Sequence, residues 1–232
     1  GVTIIRSNRL VAAVLCYGCL TGLLQAEEPA AEERWWDYGI RMSAGYFNFR
    51  NSLYVDIDPD PPGNLGEDWT EFTVMPWVGF ERETETGTWF GEVSWAYART
   101  GDDASEISGG HASSTDFDNL YLGWRHGSLE TGQFEIAGGR YPYKLAHGFL
   151  LQDGYADGGS RGAIWTNPRV AWAPGGRMQY RRNGHTGEIF YLERDDRPES
   201  DPDVRLSGVN YEWQSEGRTT TLGASYMKFK AN

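Results

Sequence analysis

The sequence predicts an all-β fold, a transmembrane antiparallel β-barrel, on three observations. About nine short segments alternate apolar and polar residues with a period of two, as strands with one apolar and one polar face do. The connections between the segments alternate as well, because a long acidic loop is followed by a tight Gly/Asn/Ser turn. Aromatic residues make up 14% of the 232-residue chain while only 39% is hydrophobic, which favours the aromatic girdles of a membrane barrel over an aliphatic core.

Residues 1–26 have the order of a secretory signal. Arg6 and Arg9 precede an apolar run that ends in small and polar residues. The signal predicts export across the inner membrane. Cys16 and Cys19 both lie inside it, so the exported chain is expected to have no thiol, no disulfide and no cysteine-based metal site.

The rest of the chain divides into an acidic spacer, residues 27–35, and residues 36–232, which we expect to form the N-terminal part of the barrel. Mean hydropathy is −0.58, and no stretch beyond the signal reaches the roughly 18 apolar residues that a spanning helix needs. A bundle of lipid-facing helices is therefore excluded. A soluble β-sandwich or lipocalin-like barrel would also alternate, and the export signal favours the membrane barrel over it.

The alternation also assigns faces. In the first strand Tyr38, Ile40 and Met42 share one face and Arg41 lies on the other. Pro76 stands inside the second strand and predicts a bulge or a weak ladder there, since proline has no N–H to donate. The nine strands are expected at about residues 36–49, 69–82, 89–97, 119–125, 133–141, on both sides of the Asn183-Gly184 turn with the later one at about 188–194, and at about 204–213 and 219–229.

Alternating connection lengths predict an orientation. Outer-membrane barrels keep short turns on the periplasmic side and long loops outside, so the first strand is expected to run outward from a periplasmic N-terminus. Nine is an odd count, and the chain ends on Lys230-Ala231-Asn232 without a terminal aromatic residue. We therefore expect the sequence to be an incomplete piece of a larger barrel.

The longest segment without alternation runs from Pro142 to Pro174 and is rich in glycine. In a porin such a segment can fold into the lumen and set its bore. Two hypotheses for its aromatic residues remain open. They either form a sliding surface for sugar rings or pack the segment against the barrel wall. These residues are Phe149, Tyr155, Trp165 and Trp172.

One region of the chain carries a family resemblance. It contains Gly139-Arg140-Tyr141, then His147-Gly148-Phe149-Leu150-Leu151-Gln152, then Trp165-Thr166-Asn167-Pro168-Arg169. This order resembles the alginate export family of outer-membrane porins over about thirty residues. The resemblance implies a single-chain barrel of sixteen to eighteen strands, of which about nine are present. It also implies that an anionic polysaccharide passes outward through an arginine-lined constriction, with periplasmic export components as further partners.

Six arginines are the candidate lumen and substrate-binding residues. Strand alternation places Arg41, Arg125, Arg177 and Arg181 on inward faces, while Arg140 and Arg161 sit at or beside the long segment and can fold inward. Fixed guanidinium groups in a narrow pore attract the carboxylates of a polyuronate. The alternative is that inward glutamates pair with the arginines across strands, which gives a lumen of mixed sign. These glutamates are Glu71, Glu92 and Glu135.

Charge and motifs narrow the function further. The formal net charge of −12 leaves no basic stripe for nucleic acid. The four histidines are scattered along the chain and no His-Glu-x-x-His motif occurs, so we expect no enzyme, and we expect no cofactor or protein-bound metal. The acidic loop residues either bind divalent ions that bridge lipopolysaccharide or are simply solvated. They include Asp56, Asp58, Asp60, Asp102, Asp103, Asp195, Asp196, Asp201 and Asp203.

Three functions are compatible with these observations, all in the outer membrane of a Gram-negative bacterium. The first is export of an anionic, alginate-like polysaccharide. The second is a general or nutrient-selective diffusion porin for small hydrophilic solutes. The third is a barrel that serves mainly surface adhesion or integrity.

Overall fold

The structure, a computed structural model, describes residues 35–50, 66–102, 108–145, 148, 150–198, 203–217 and 219–231. The expected signal (1–26) and the spacer up to residue 34 lie outside the described residues. So do the loop residues 51–65, 103–107 and 199–202, which include Asp56, Asp58, Asp60, Asp103 and Asp201.

The described chain is all-β, with nine antiparallel strands in one sheet whose order follows the sequence. The sheet is open, since β1 and β9 each pair with one neighbour within the described residues. A single 3-10 turn, Gly159–Arg161, interrupts the connection between β5 and β6. The strands are β1 Trp36–Arg50, β2 Gly66–Thr84, β3 Gly87–Asp102, β4 Ser113–Ser128, β5 Gly132–Tyr141, β6 Trp172–Arg182, β7 His185–Glu193, β8 Arg205–Gln214 and β9 Thr221–Lys230.

The expected nine strands and the alternation of short and long connections are confirmed. Short turns join β2 to β3, β4 to β5, β6 to β7 and β8 to β9, while the other connections are longer. Several strand ends differ from expectation. β3 extends to Asp102 rather than ending near Tyr97, so Asp102 lies in a strand and not in a loop, and β4 spans Ser113–Ser128 rather than about 119–125. β6 begins at Trp172, so Pro174 lies inside a strand rather than in the loop, and β7 begins at His185 rather than near Glu188.

Side-chain chemistry separates the two faces of the sheet. We call the apolar face the one that carries Ile40, Val78, Val93, Leu120, Ile136, Met178, Ile189, Val209 and Leu222, one residue from each strand. All nine are exposed, Ile40 to 65% and Leu222 to 62%. We call the polar face the one that carries Arg41, Glu71, Ser94, Asn119, Glu135, Gln179, Glu188, Asn210 and Ser225. Most of these are buried, Glu71 to 2% exposure.

Continuous register keeps the two faces separate. Ile136, Met178, Ile189, Val209 and Tyr226 stand directly opposite one another across four successive pairings. Side chains alternate along each strand, so one such row fixes the face of every other residue in those strands. In a protein whose outer surface faces water, large apolar side chains are mostly buried. Here the apolar row is exposed and the polar face is mostly buried.

Proline and bulges account for the irregular pairings. At Pro76 the register between β2 and β3 does not shift, but the ladder is interrupted there, so the weak-ladder expectation is correct and the bulge is not. The register shifts instead between β3 and β4 near Ser94, and between β5 and β6 near Gly139. In the second case β6 holds an extra residue, and the bulge accommodates Pro174.

A small apolar core lies on the polar side of the sheet. It joins strands β5 to β8 to the start of the connection that follows β5. The Trp172 indole N–H donates to the Tyr143 carbonyl oxygen at 3.2 Å, so this buried polar atom is satisfied. The core comprises Ala137, Tyr141, Tyr143, Leu145, Leu151, Trp172, Phe190, Leu192 and Leu206.

The turn between β6 and β7 allows a test of the backbone conformation at Gly184. Gly184 has φ 80, and a Cβ built there would lie 2.4 Å from the Gln214 carbonyl oxygen. We expect Gly184→Ala to lower the free energy of unfolding by roughly 1–3 kcal/mol, because a non-glycine residue is strained at this φ. Urea unfolding followed by tryptophan fluorescence measures the effect. Gly187→Ala is the matched control, since its Cβ would meet nothing within 4 Å. Equal losses in the two variants would contradict this account.

Candidate functional site

The connection between β5 and β6 lies against the polar face. We call residues 142–171 the inner segment; its residues 146, 147 and 149 lie outside the described part of the chain. Ser114 Oγ donates to the Arg161 carbonyl oxygen at 2.7 Å, and Ala163 N donates to Thr100 Oγ1 at 2.7 Å. The described residues of the segment therefore pack against the polar face, and the expected position in a lumen stays a prediction.

Glu71 on β2 is the main anchor of the inner segment. Its carboxylate accepts hydrogen bonds from three consecutive backbone N–H groups, those of Ile164 at 3.1 Å, Trp165 at 2.9 Å and Thr166 at 3.0 Å. The Thr166 hydroxyl at 3.2 Å and the Trp69 indole N–H at 3.0 Å also donate to it. Five donors satisfy a buried carboxylate that would otherwise be costly, and an irregular backbone gains the acceptor it lacks.

Two hydroxyl groups complete this anchor. The Thr166 carbonyl oxygen accepts hydrogen bonds from Ser43 Oγ at 2.5 Å and from Thr73 Oγ1 at 3.0 Å. Thr73 is fully buried. Both the N–H and the C=O of Thr166 are therefore bound by the sheet, which fixes the position of this part of the segment.

A β-bulge supplies the second anchor, Asp118. The register shift between β3 and β4 places both Asp118 and Asn119 opposite Ser94, and both side chains are buried. Asp118 Oδ1 accepts hydrogen bonds from Val170 N at 3.0 Å and Ala171 N at 3.1 Å. The bulge thus turns a carboxylate toward the segment that strict alternation would direct to the other face.

Arg169 is a buried cation at the base of the segment. It is 2% exposed, and its guanidinium donates to the Ala96 carbonyl oxygen at 2.7 Å and to the Tyr155 hydroxyl. The guanidinium also lies 4.8 Å from the centre of the Tyr155 ring. Arg169 belongs to the stretch that resembles the alginate export family, and no local pattern in the sequence marks it as a buried cation.

The connection between β7 and β8 holds the segment from the other side. Ala156 N donates to the Asp195 carbonyl oxygen at 3.0 Å, and Asp195 N donates to the Gly154 carbonyl oxygen at 2.7 Å. Arg161 forms an ion pair with Asp195 at 2.7 Å, and Arg140 pairs with the same carboxylate. Arg140 and Arg161 therefore meet at one aspartate and fasten two loops together.

The six predicted arginines are distributed along the polar side, and each has a carboxylate within 4.0 Å. Arg41, Arg125, Arg177 and Arg181 project from the polar face, as the alternation predicts. Arg41 pairs with Glu92 at 3.5 Å, Arg125 with Glu81, Arg140 with Asp116 at 3.5 Å and with Asp195, Arg161 with Asp195, Arg177 with Glu135 and with Glu188 at 4.0 Å, and Arg181 with Glu135 at 3.2 Å.

Those pairings give the described polar face a mixed sign. Glu135 is shared by Arg177 and Arg181, and Glu92 also accepts a hydrogen bond from Asn119 Nδ2 at 2.7 Å. The six arginines do not converge on one point of the described polar face. The predicted alternative, pairing of inward glutamates with arginines, is present for Glu92 and Glu135, whereas Glu71 binds the inner segment instead of an arginine.

The four aromatic residues predicted for this region, three in the inner segment and Trp172 at the start of β6, have different environments. Tyr155 and Trp172 are 5% and 3% exposed and pack the segment against the sheet, whereas Trp165 is 60% exposed. Phe149 lies outside the described residues. Tyr155 and Trp172 therefore pack the chain together, as the second hypothesis predicts. Of the described aromatic residues among the four, only Trp165 is exposed enough to offer a sliding surface.

The acidic loop residues that are described form ion pairs or hydrogen bonds with the chain itself. Asp195 binds Arg140 and Arg161, Asp196 binds Arg194 at 3.2 Å, and Asp203 binds Arg205. Among the described residues, no group of three or more His, Cys, Asp and Glu side chains is placed to hold a metal ion.

Removing the Glu71 carboxylate should release the inner segment. We expect the Glu71→Ala variant to exchange the amide hydrogens of Ile164, Trp165 and Thr166 at least tenfold faster than the wild type, because hydrogen bonds to a charged acceptor contribute about 1.5–3 kcal/mol each. Hydrogen–deuterium exchange with mass spectrometry measures these sites. Glu92→Ala is the control, since Glu92 binds Arg41 and Asn119 of the sheet. Unchanged protection in Glu71→Ala would contradict the anchor.

We expect the packing of the inner segment to depend on pH through Asp157. Burial raises the pKa of Asp157 to about 8, helped by Asp153 and Asp118 and opposed by Arg169 and Arg161. Its Oδ1 has no hydrogen-bond partner among the described residues. A pKa that is higher in the folded state means that the stability contributed by protonated Asp157 is complete below about pH 4 and is lost as pH rises through 8.

We therefore expect Asp157→Asn to gain stability relative to the wild type between pH 5 and pH 9, by on the order of a few kcal/mol. Urea unfolding of both proteins at the two pH values measures this difference. Asp153→Asn, at an exposed position of the same segment, should show little of it. An equal pH dependence in wild type and Asp157→Asn would refute the role of Asp157.

Comparisons with known proteins assign this chain to no family. Comparisons of the chain with protein-family models, with curated proteins and with solved structures each gave no match. None of the described residues belongs to a helix that is long and apolar enough to cross a membrane.

Proposed function

We propose that this chain forms part of the wall of an outer-membrane channel, with the apolar face toward lipid and the polar face toward an aqueous lumen. The observation that carries the proposal is the exposed apolar face, which extends over all nine strands without interruption. A face of this size and continuity is costly in water and stable in hydrocarbon. The secretory order of residues 1–26 supports an outer-membrane location.

Two aromatic rows border the aliphatic middle of the apolar face, as the interfacial girdles of outer-membrane barrels do. The row at the end with the short turns contains Trp36, Phe80, Trp89, Trp124, Phe134, Tyr180 and Tyr211. The row nearer the long loops contains Tyr46, Phe72, Tyr97, Phe117 and Tyr191.

The spacing of these rows suits a bilayer. Trp36 and Tyr46, near the two ends of β1, are about 33 Å apart at a rise of about 3.3 Å per residue. At a strand tilt of about 40°, this length spans about 25 Å along the membrane normal, which is the usual height of the apolar band. The short turns then face the periplasm and the long loops face outward.

The inner segment narrows this lumen. It is anchored by Glu71, Asp118 and the Arg161–Asp195 pair, which lie on separate elements. A connection bound at several points across the polar face reduces the bore and remains in place during transport. The channel is therefore selective by size as well as by charge.

The solute that we propose is an anionic, alginate-like polysaccharide moving outward. The family resemblance and the arginines along the polar face support it, since guanidinium groups bind uronate carboxylates in bidentate geometry. Each of these arginines already has a protein carboxylate nearby, so the polymer exchanges one carboxylate for another as it passes. Such exchange keeps binding weak enough for release.

The second candidate is a diffusion porin for small hydrophilic solutes. The compensated charge of the described polar face favours it, because Glu92, Glu81, Glu135 and Asp195 neutralise the predicted arginines. A wall of mixed sign admits solutes of either charge. The two candidates differ in their response to an oligomeric uronate.

Single-channel conductance of the full protein in planar lipid bilayers tests the proposal. We expect discrete conductance steps, and blockade of the current when oligouronate is added at low concentration. Steps that are indifferent to oligouronate would favour the diffusion porin over polysaccharide export. Repeated insertion of folded protein without conductance would contradict the channel.

A charge variant sharpens this measurement. Glu135→Gln removes the shared partner of Arg177 and Arg181, and we expect oligouronate to block about fivefold more tightly, since one charge contact near a protein surface is worth about 1 kcal/mol or more. The matched control is Glu193→Gln, which removes a partner of Arg205 elsewhere on the sheet. Tighter blockade in both variants would point to an effect of net charge.

A further inference from the structure

Trp165 lines a large cavity where the inner segment meets β1, the first strand of the sheet. The cavity has a volume of about 1330 Å³ and is lined by residues of β1, β2 and β3, by His111 and by residues 165–168 of the inner segment. Sites for drug-sized molecules measure roughly 300–1,000 Å³, so this cavity has room for more than one sugar ring. Trp165 is 60% exposed there.

The indole of Trp165 is mounted on a fixed backbone. Its own N–H and those of both neighbours bind Glu71, and the following carbonyl oxygen binds Ser43 and Thr73. The Phe47 ring lies 6.3 Å from the Trp165 ring at an interplanar angle of 34°. A preorganised aromatic surface binds a flat apolar ligand face with a small loss of conformational freedom.

Polar groups surround this surface. Arg41, whose side chain is 45% exposed, Asp102 and His111 line the same cavity. A pyranose ring has one face of C–H groups and an edge of hydroxyl groups. The C–H face fits an indole ring, and the hydroxyl edge fits donors and acceptors at its border.

We propose that Trp165 is a stacking platform for a pyranose ring, and that the cavity beside it binds a short stretch of sugar chain. The proposal rests on the channel function, for which it names a binding position in the lumen. The described residues that line the cavity include both positive and negative side chains, namely Arg41, Arg99, Glu71 and Asp102. Neutral and acidic sugars share the stacking chemistry, and the experiment separates them.

Titration calorimetry of the full protein in detergent micelles tests the platform, with maltohexaose as the neutral probe and hexagalacturonate as the acidic one. We expect the wild type to bind at least one of them. Trp165→Ala should weaken that binding about tenfold or more, and Trp165→Phe should retain it within about threefold. Leu150→Ala is the matched control, since Leu150 is 60% exposed in the same segment and does not line the cavity.

Two results would overturn the platform. One is binding of neither hexasaccharide by the wild type, and the other is equal binding by Trp165→Ala and wild type. Bilayer conductance of the same preparation distinguishes the two proposals. Conductance without sugar binding would contradict the platform proposal and support the channel proposal. Trp165-dependent binding without conductance would support the platform proposal and contradict the channel proposal. If Trp165→Ala fails to fold, the comparison of Trp165→Phe with Trp165→Leu decides, since only the aromatic residue should retain affinity.

Discussion

Eight successive antiparallel pairings hold the nine strands in register, and a one-residue slip in any strand would exchange its two faces. Every other feature depends on this constraint. It keeps Ile136, Met178, Ile189 and Val209 in one exposed row, and it collects carboxylates and arginines on the opposite side. Exposure of the apolar face to water is unfavourable, while the polar face requires partners for its buried charges.

The inner segment supplies many of those partners. An irregular backbone has N–H groups with no strand to pair with, and Glu71 and Asp118 accept five of them. The hydrogen bonds offset the burial of the Glu71 carboxylate and satisfy Oδ1 of Asp118, so the segment and the polar face stabilise each other. The same contacts hold Trp165 rigidly in the exposed position from which it faces the cavity. The proposed narrowing of the channel and the proposed sugar platform thus have one structural origin.

Local pattern predicted much of this architecture, and long-range contact determined the rest. Alternation in β1 to β4 placed Arg41, Glu71 and Arg125 on the correct side, because side-chain direction in a strand depends only on parity. Glu71 meets Trp165 N across 94 residues of sequence, and no local signal marks such a contact. The bulge that redirects Asp118 also breaks parity, so alternation alone could not find it.

Lipid contact on the apolar face is the central claim, and site-directed spin labelling along β4 tests it most directly. Single cysteines at positions 120–124 can be labelled selectively, since Cys16 and Cys19 lie in the expected signal. In reconstituted protein we predict that accessibility to oxygen, which partitions into lipid, peaks at Leu120, Leu122 and Trp124, with low accessibility to a water-soluble nickel complex. High accessibility of these three positions to the nickel complex would contradict the account.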